Sequence, residues 1–541
     1  MLLFKFDSQK KNLLLLAIST SVILGFAFPP FQMGILACIG FVPFLFLSDS
    51  IKSFGRYFRY SYFTFFLFSL ISLYWVGGFT HGKDPYLMIA GTALFFWEPL
   101  VLSLPAMLYY FIKKRIKNRF SVIAFPFIWI TMEWLYALGE LAFPWLHIGN
   151  TQTYQLDKIQ FADITGVYGI SFWILIINVL IYFFIRQIQS DSKLNRKSYI
   201  YAITIVLVYI LPNFYRIDEN LFHNPSNKKI NVGIIQPNID PWNKWEGANT
   251  FLGRWTQAEH YLGLIGKHRN DSIDIVVLPE SAILLNLPAY PQQMEEFKTI
   301  VDSLNISVVT GYVRVQYYEK ENAPLTSSLI KGTNVRYDSF NSIMFVEPSS
   351  NELQTYSKMR LVPFAERIPY ADKFSYLIEP LRWGVGISNW GLAHDSTVFI
   401  DKKFDAKFLA MVCYESIFPE FVSKFVDNGA EFLIFVTNDS WWGNTSGARQ
   451  HNQYSILRAI ENRRWVVRCA NGGISSFVDP MGRMYDQTEM YSEAYIKRQI
   501  EPLQEKTFYT KHGDWFARIC ASITGLIFLF SIGYSIIRKY L

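Results

Sequence analysis

Eight apolar runs constrain this chain more than any other feature of its sequence. They lie at roughly 12–28, 33–50, 60–78, 86–112, 120–138, 167–185, 198–213 and 515–537. A helix of about 20 apolar residues crosses the hydrocarbon core of a bilayer, so runs of this length predict membrane spans. The first run continues through Phe28, Pro29 and Pro30 into the second with no small-residue cleavage site, which indicates a helical hairpin and not a signal peptide. We therefore predict an α-helical membrane bundle of eight spans, of which the seventh is short.

The composition is that of a chain partly in contact with lipid. Hydrophobic residues make up 51% of it and charged residues only 18%, which is less charge than a uniformly soluble protein carries. The formal net charge is +7, but the basic residues cluster beside the apolar runs and form no basic stripe or nucleic-acid motif. We expect these cations to face anionic lipid headgroups, and we expect no nucleic-acid partner.

The positions of the basic residues predict the orientation of the spans, because Lys and Arg resist translocation and stay in cytoplasmic loops. Every second connection between runs is basic, and the alternate ones are poor in Lys and Arg. The basic segments contain Lys5, Lys10, Lys11, Lys52, Arg56, Arg59, Lys113, Lys114, Arg115, Lys117, Arg119, Arg186, Lys193, Arg196, Lys197, Arg538 and Lys539. This pattern predicts a cytoplasmic N-terminus, with the long segment before the last run on the opposite side of the membrane.

That long segment has the pattern of an α/β domain. Short Val-, Ile- and Phe-rich stretches alternate in it with helix-like stretches around 250–267, 290–304 and 447–463, which predicts a central sheet covered by helices. The predicted strands are Ile230–Gln236, Ile273–Leu278, Ile306–Tyr312, Phe408–Cys413 and Phe432–Thr437.

Three segments of this domain carry residues suited to acyl chemistry. Glu280 ends the apolar stretch that begins at Asp274, Lys358 precedes another apolar run, and Cys413 ends a strand. A cysteine attacks an acyl carbon as a thiolate, so it needs a base or an electropositive setting. A glutamate in a dry pocket can move that proton, and a lysine can neutralise the oxyanion that forms.

Each of these residues also has an ordinary structural explanation. A cysteine on an apolar strand usually packs, a glutamate after proline often caps a turn, and a lysine is usually solvated. His451 would allow a Cys/His dyad, but with an acid and a lysine already present we interpret it as a structural helix residue. Glu98 and Glu133 fall within apolar runs, where a functional role and a hydrogen-bonded structural role are equally open.

Together the three segments resemble the carbon–nitrogen hydrolase (nitrilase) superfamily, whose catalytic Glu, Lys and Cys occur in this order. Within it the chain is most similar to the apolipoprotein N-acyltransferases, and the resemblance covers nearly the whole sequence. The matching stretches of the α/β domain are Asp274–Ser281, Tyr356–Glu366, Phe408–Glu415, Val436–Gly443, Gln450, His451, Arg458–Glu461 and Asn471–Gly473. Those of the membrane half are Glu133, Trp134, Phe143–Leu146 and Asp163–Gly169. Ala365 and Ser440 depart from the usual pattern without touching the three catalytic positions.

The resemblance implies a fold and a division of the chain. We expect seven spans within residues 1–213, an αββα nitrilase-like sandwich at 228–508, and a last transmembrane helix at 515–541. It implies a multi-pass protein of the bacterial cytoplasmic (inner) membrane with its catalytic domain on the periplasmic side. A membrane anchor also favours a monomer over the oligomers of soluble nitrilases.

The resemblance likewise implies roles for particular residues. Cys413 would be the nucleophile, Glu280 the general base and acid, and Lys358 the group that stabilises the oxyanion. The family also needs the positions of Glu366, Tyr414 and Glu415 in its pocket, although Glu366 and Glu415 would serve equally by orienting Lys358. Trp245 matches a tryptophan thought to help bind substrate, while a core or interface aromatic remains an alternative reading.

The implied reaction takes a fatty acyl group from a phospholipid donor to the α-amine of the N-terminal diacylglyceryl-cysteine of an apolipoprotein acceptor, through a thioester on Cys413. It needs no cofactor or metal, because acyl transfer involves no redox chemistry. Two alternatives stay open at this point: a membrane-tethered nitrilase-type amidase that uses water, and a membrane protein with an inert domain. The glycine-bearing stretch at 381–390 predicts a mobile flap. A disulfide between Cys413 and Cys469 would abolish the mechanism, and we expect none.

Overall fold

The computed structural model describes residues 8–80, 85–191, 194–215, 228–246, 250–319, 321–373 and 390–540. Its helices are α1 (Ser8–Ala27), α2 (Ala37–Gly40), α3 (Val42–Ser50), α4 (Phe54–Leu73), α5 (Pro85–Ile116), α6 (Ala124–Tyr136), α7 (Leu156–Ile159), α8 (Ala162–Asp191), α9 (Arg196–Ile210), α10 (Pro241–Glu246), α11 (Phe251–Lys267), α12 (Pro291–Leu304), α13 (Pro419–Asp427), α14 (Ser446–Asn462), α15 (Phe508–His512) and α16 (Trp515–Tyr540).

The strands are β1 (Ile230–Gln236), β2 (Ile275–Val277), β3 (Ser307–Glu319), β4 (Ser328–Leu329), β5 (Val335–Val346), β6 (Gln354–Ser357), β7 (Phe399–Asp401), β8 (Ala406–Val412), β9 (Phe432–Thr437), β10 (Val466–Ala470), β11 (Ser476–Val478), β12 (Met484–Tyr485) and β13 (Ala494–Ile500). Every predicted strand is present, although β2 is shorter than predicted and β3 longer. Cys413 lies just after β8 and not within it.

Five helices of the described chain are long and apolar enough to cross a membrane. They are Gln9–Ala27, Leu87–Ile116, Ala162–Ser190, Arg196–Phe214 and Trp515–Ile537. On the last two the apolar side chains are largely exposed, for example Ile203 and Leu526, which suits a face that meets lipid. The model thus supports a membrane bundle of several apolar helices, which is a coarser statement than the predicted eight spans.

The other three predicted spans correspond to helices that fall short in length or apolarity. The apolar helical stretch Gly34–Ser50 is short. Helix α6 has only 13 residues. Helix α4 has 20 residues but carries two arginines near its start and buries Ser61, Thr64 and Ser69 along one face. These three segments pack against neighbouring helices, and this packing adds to hydropathy in holding them in the bundle.

The α/β part is built on two sheets. The first has seven strands in the order β13-β1-β2-β3-β5-β4, with β6 paired to β5, and the second has six in the order β12-β11-β10-β9-β8-β7. The central pairs β1–β2, β2–β3, β8–β9 and β9–β10 are parallel. Parallel strands are buried on both faces, which explains their nearly continuous apolar sequences.

The two sheets pack face to face, with helices on their outer faces. Phe345 of the first sheet meets Phe408 of the second with ring centroids 5.0 Å apart. Outside the first sheet, α11 and α12 bury Trp255 and Phe297 in a second apolar cluster. Outside the second sheet lie α13 and α14, which pack toward the membrane helices. This is the predicted αββα arrangement.

Candidate active site

Cys413 stands at the end of β8, where the chain turns sharply. Its φ is +50°, a left-handed conformation that is uncommon for residues other than glycine. A short helical turn, Cys413–Ile417, begins there, and the Glu415 carboxylate accepts a hydrogen bond from the Val412 N–H at 2.9 Å. The turn places the thiol beyond the carboxyl ends of the strands. Open α/β sheets usually form their binding sites there.

Glu280 follows β2 in a second tight turn. Its Oε1 accepts a hydrogen bond of 2.7 Å from Asn341 Nδ2, and its neighbour Ser281 has φ +48°. The turn lies against Gly311 of β3, where an added Cβ would come within 2.6 Å of the Pro279 carbonyl oxygen. Only glycine allows this close approach, so Gly311 fixes where Glu280 stands.

Lys358 follows β6 and is almost completely enclosed, with 1% of its side chain exposed. Its Nζ lies 2.7 Å from Glu366 Oε1 and 4.0 Å from Glu280 Oε1. Its backbone N–H donates to the Asn341 carbonyl oxygen at 2.8 Å. The structure therefore brings the three predicted catalytic residues into one buried cluster, with Glu366 orienting the lysine.

Burial and mutual charge perturb the ionisation of all three. Burial raises the pKa of the Cys413 thiol, the Glu280 charge adds to this, and Lys358 opposes it. Burial also raises the pKa of Glu280, again opposed by Lys358. Burial alone would lower the pKa of Lys358, but the Glu366 and Glu280 carboxylates outweigh it and raise the pKa. The site thus combines a thiol and a carboxyl group whose ionised forms burial disfavours with a lysine whose charged form two carboxylates stabilise.

Glu415 forms hydrogen bonds to both the segment that carries Lys358 and the turn that carries Cys413. Besides the Val412 N–H, it accepts hydrogen bonds from the Tyr356 hydroxyl at 2.6 Å and the Met359 N–H at 2.7 Å. These contacts join the Lys358 segment to the turn that carries the nucleophile. Glu415 makes no hydrogen bond to Lys358 itself among the contacts described, in contrast to Glu366.

Tyr414 connects the segment that carries Cys413 to the membrane half of the molecule. Its hydroxyl donates a 2.6 Å hydrogen bond to the Ala142 carbonyl oxygen, and its ring stacks near Phe143. The residue next to Cys413 therefore touches the loop that follows α6. A substrate held among the membrane helices would lie close to the thiol.

Trp245 lies at the side of the site, half-buried against Trp390 with ring centroids 6.3 Å apart. The same apolar cluster contains Leu284 and Val313. This position is compatible with either interpretation of Trp245, as a substrate contact or as an interface aromatic. Of the predicted flap, residues 381–389 lie outside the described residues.

Two further residues contact Glu280 that no sequence motif indicated. Asn341 is one, and Lys244 is the other, a buried lysine whose Nζ is 3.4 Å from the Glu280 carbonyl oxygen. Burial lowers the pKa of Lys244 to about 7. Lys244 directly precedes Trp245. The motif match at Trp245 was therefore the one sequence signal that pointed to Lys244. Asn341 reaches Glu280 only through the pairing of β3 with β5.

A polar network lies behind Cys413. Asp439, His451 and Cys413 bring potential metal-ligand atoms within 4.8 Å of one another. Asp439, however, already pairs with the Arg468 guanidinium and with His451, and the arginine's charge opposes a cation there. The four cysteines are unpaired, and Cys469 Sγ lies 3.4 Å from the Val277 carbonyl oxygen.

The two buried acids of the membrane half are hydrogen-bonded. Glu98 accepts from the Tyr136 hydroxyl at 2.7 Å. Glu133 accepts from Trp129 Nε1 at 3.1 Å and from the Ile148 N–H at 2.8 Å. A structural role therefore accounts for Glu98 but for only one oxygen of Glu133, because Glu133 Oε2 is buried with no hydrogen-bond partner among the described residues.

Comparison with known proteins agrees with this fold. Residues 20–180 match the apolipoprotein N-acyltransferase N-terminal domain, and residues 231–504 match the carbon–nitrogen hydrolase family. An apolipoprotein N-acyltransferase of Chlorobaculum tepidum is 34% identical over 530 residues, covering 95% of this chain and 95% of that protein. One from Geobacter metallireducens is 30% identical over 523 residues, covering 96% of this chain and 95% of the relative.

The two matched regions follow one another along the chain. The membrane helices come first and the carbon–nitrogen hydrolase domain second. The relatives match along nearly their whole length. The chain belongs to the apolipoprotein N-acyltransferase family.

Proposed function

We propose that this protein moves a fatty acyl group from a phospholipid to the α-amine of an N-terminal diacylglyceryl-cysteine of an apolipoprotein, through a thioester on Cys413. The names of the relatives support N-acylation of a lipoprotein. The phospholipid donor and the covalent intermediate are the finer parts of the proposal, and they rest on the chemistry of the site.

One observation carries the proposal. The thiol of Cys413 shares a buried cluster with Glu280 and Lys358, and the next residue, Tyr414, bonds to the membrane half at Ala142. A site with a nucleophile, a proton carrier and a fixed cation suits acyl transfer. Its position against the membrane half suits two substrates that are both anchored in lipid.

In the first half-reaction, Glu280 takes the proton of the Cys413 thiol as the sulfur attacks the carbonyl carbon of a phospholipid ester. The negative charge that develops on the carbonyl oxygen is neutralised by the Lys358 ammonium group. The C–O bond of the ester then breaks, and Glu280 gives its proton to the departing alkoxide. The products are a lysophospholipid and the thioester.

In the second half-reaction, the neutral α-amine of the acceptor attacks the thioester carbonyl carbon. Glu280 takes the proton that the nitrogen loses, Lys358 again neutralises the oxyanion, and the C–S bond breaks. The proton passes from Glu280 to the Cys413 sulfur, which returns to the thiol. The order of these steps predicts ping-pong kinetics.

We also propose the finer placement in the membrane. Eight spans, with seven in residues 1–213 and one in 515–541, account for the alternation of basic connections along the chain. That alternation supports a catalytic domain at 228–508 on the periplasmic side of the bacterial inner membrane. We propose a monomer, and Trp245 as a substrate contact at the side of the pocket.

The identity of the molecule that receives the acyl group distinguishes acyl transfer from the tethered amidase. The comparisons do not favour the amidase. Purified protein would be given a phospholipid with a labelled acyl chain and a diacylated lipopeptide with a free amine. A matched lipopeptide whose amine is acetylated, and water alone, serve as controls. We expect label on the free-amine peptide only. Release of label as free fatty acid at the same rate with either peptide would contradict the proposal.

A cysteine control makes that assay specific. Cys413→Ser is expected to abolish transfer, because an alkoxide is far harder to form than a thiolate. Cys469→Ser alters another buried cysteine on β10, which β9 separates from β8 in the same sheet, and is expected to leave transfer intact. Loss of transfer in both variants to the same extent would point to general damage to the fold.

A further inference from the structure

His451 stands directly behind the nucleophile. It is on α14, is 1% exposed, and places Nδ1 2.8 Å from Asp439 Oδ1. Its Nε2 lies 3.0 Å from Ser416 Oγ and 3.3 Å from the carbonyl oxygen of Cys413. The imidazole therefore lies between a buried carboxylate and the turn that begins at Cys413.

Ser416 completes the connection to that turn. Its hydroxyl oxygen lies 2.8 Å from the Cys413 carbonyl oxygen and 3.0 Å from His451 Nε2, so its single proton is shared between these two acceptors. The carbonyl belongs to a residue held at φ +50°, a conformation that costs roughly 1 kcal/mol or more for a side chain other than glycine. A strained backbone stays in place only when its surroundings hold it there.

The far end of the bridge is anchored by charge. Asp439 pairs with Arg468, and both side chains are fully buried. Asp439 Oδ1 also accepts a 2.9 Å hydrogen bond from the hydroxyl of Thr437. Arg468 and Thr437 together therefore fix the carboxylate that holds His451.

The ring itself is poorly placed to act as the base. Asp439 Oδ1 only accepts hydrogen bonds and lies 2.8 Å from Nδ1, while Arg468 Nη2 lies farther from that nitrogen, at 3.2 Å, which favours the tautomer with its proton on Nδ1. In that tautomer Nε2 accepts the hydrogen bond from the Ser416 hydroxyl at 3.0 Å. Burial and the Arg468 cation lower the pKa of His451, which favours the neutral ring.

We propose that His451 is a positioning residue: through Ser416 and Asp439 it holds the turn at Cys413 so that the thiol faces Glu280 and Lys358. This inference deepens the proposed function and rests on Cys413 being the nucleophile. It predicts that hydrogen-bonding capacity, and not basicity, is what position 451 must supply.

The test compares His451→Gln with His451→Leu. A glutamine amide can donate to Asp439 and accept from Ser416, but it cannot take up a proton as a base. A leucine of similar size can do neither. His268 provides a matched control, since its Nδ1 also pairs with an aspartate, Asp271, on the surface. The readouts are the burst of p-nitrophenol from a soluble p-nitrophenyl ester, thioester formation from labelled phospholipid, and thermal unfolding.

We expect His451→Leu to slow the burst about 10²-fold, the usual effect of misplacing a reacting group by about 1 Å. The burst rate of His451→Gln should stay within about 10-fold of the wild-type rate. The burst rate of His268→Leu should equal that of the wild type. Equal losses of about 10² to 10⁴-fold in both His451 variants would make His451 the base and overturn the proposal. A wild-type burst rate in His451→Leu would also overturn it.

Two features keep the result decisive. If His451→Leu does not fold, Ser416→Ala removes the bridging hydroxyl alone and is expected to slow the burst about 10-fold, and an unchanged burst would contradict the proposal. If phospholipid never labels the wild type while the soluble ester gives a burst, the proposed donor is wrong. The burst rates measured with the soluble ester still compare the His451 variants in that case.

Discussion

The Lys358 ammonium group lies 2.7 Å from Glu366 and is buried with it. Because Glu280 is a further 4.0 Å neighbour, a single enclosed cation faces two carboxyl groups. In the proposed mechanism Glu366 orients the lysine and Glu280 moves protons. The two carboxylates also stabilise the charged form of the buried lysine, whose field would then act on an oxyanion.

Removing the orienting carboxylate should release the lysine. We predict that Glu366→Ala slows thioester formation about 10²-fold, because Lys358 loses its closest partner and the geometry of the oxyanion site. Glu366→Gln should lose about 10-fold, since an amide oxygen can still accept from the ammonium group. Single-turnover labelling by phospholipid measures both.

Glu352 gives the matched control for that prediction. It forms an ion pair with Lys402 in which both side chains are more than half exposed. Exposed pairs contribute little, so Glu352→Ala should leave the labelling rate unchanged. Equal rates in Glu366→Ala and Glu352→Ala would show that the buried pair has no catalytic role.

The Asn341 amide should set the acid limb of the pH profile. It donates to Glu280 Oε1 and so stabilises the ionised carboxylate, opposing the rise in the pKa of Glu280 that burial causes. In Asn341→Leu the ionised form loses this donor, the pKa rises further, and the base is lost at higher pH. We expect the acid limb of the labelling rate to move up by about one pH unit. Asn286→Leu, which removes a donor to the Val315 carbonyl, should leave it in place.

Gly311 should be sensitive to a single added methyl group. A Cβ there would lie 2.4 Å from the Ser281 amide nitrogen, so Gly311→Ala must push the Glu280 turn away. We predict a loss of at least about 10²-fold in labelling rate. Gly263 on α11 has open space around it, and Gly263→Ala should keep full activity and gain about 0.5 to 1 kcal/mol in stability. Retained activity in Gly311→Ala would contradict the role given to this turn.

Gln450 should hold the catalytic domain to the membrane half. Its Oε1 accepts from the indole N–H groups of Trp75 and Trp145, and its Nε2 donates to the carbonyl oxygens of Pro29 and Ser72. Gln450→Leu leaves several buried polar groups unsatisfied, each worth about 1 to 3 kcal/mol. We predict a clearly lower unfolding temperature in detergent, whereas the exposed Gln316→Leu should melt like the wild type. Identical melting of both variants would rule out this anchoring role.

The sequence predicts the strands well because parallel strands buried on both faces must be apolar throughout. β1 and β9 begin and end where the apolar stretches do. The alternation of strands and helices also predicts the α/β class, while the face-to-face packing of two sheets came from the resemblance. The spans were harder to predict, because α4 and α6 are held partly by packing against other helices and not by hydropathy alone.

The three proposed catalytic residues lie in recognisable sequence motifs, whereas two of the residues that surround them do not. Glu280, Lys358 and Cys413 each end or follow an apolar strand, and the structure brings them together. Asn341 pairs with Val313 across β3 and β5, so its contact with Glu280 depends on a register that no local pattern encodes. His451 was interpreted as a structural helix residue, and its contact with the Cys413 carbonyl depends on how α14 packs on the second sheet.

The central claim is that Cys413 carries the acyl group. Intact mass and peptide mapping of folded, reduced protein, after incubation with a labelled phospholipid and no acceptor, test it most directly. We predict one acyl group on the Cys413 peptide, removed by hydroxylamine and lost within one turnover when the free-amine lipopeptide is added. An unlabelled Cys413, or stable label on Cys469 instead, would contradict the mechanism.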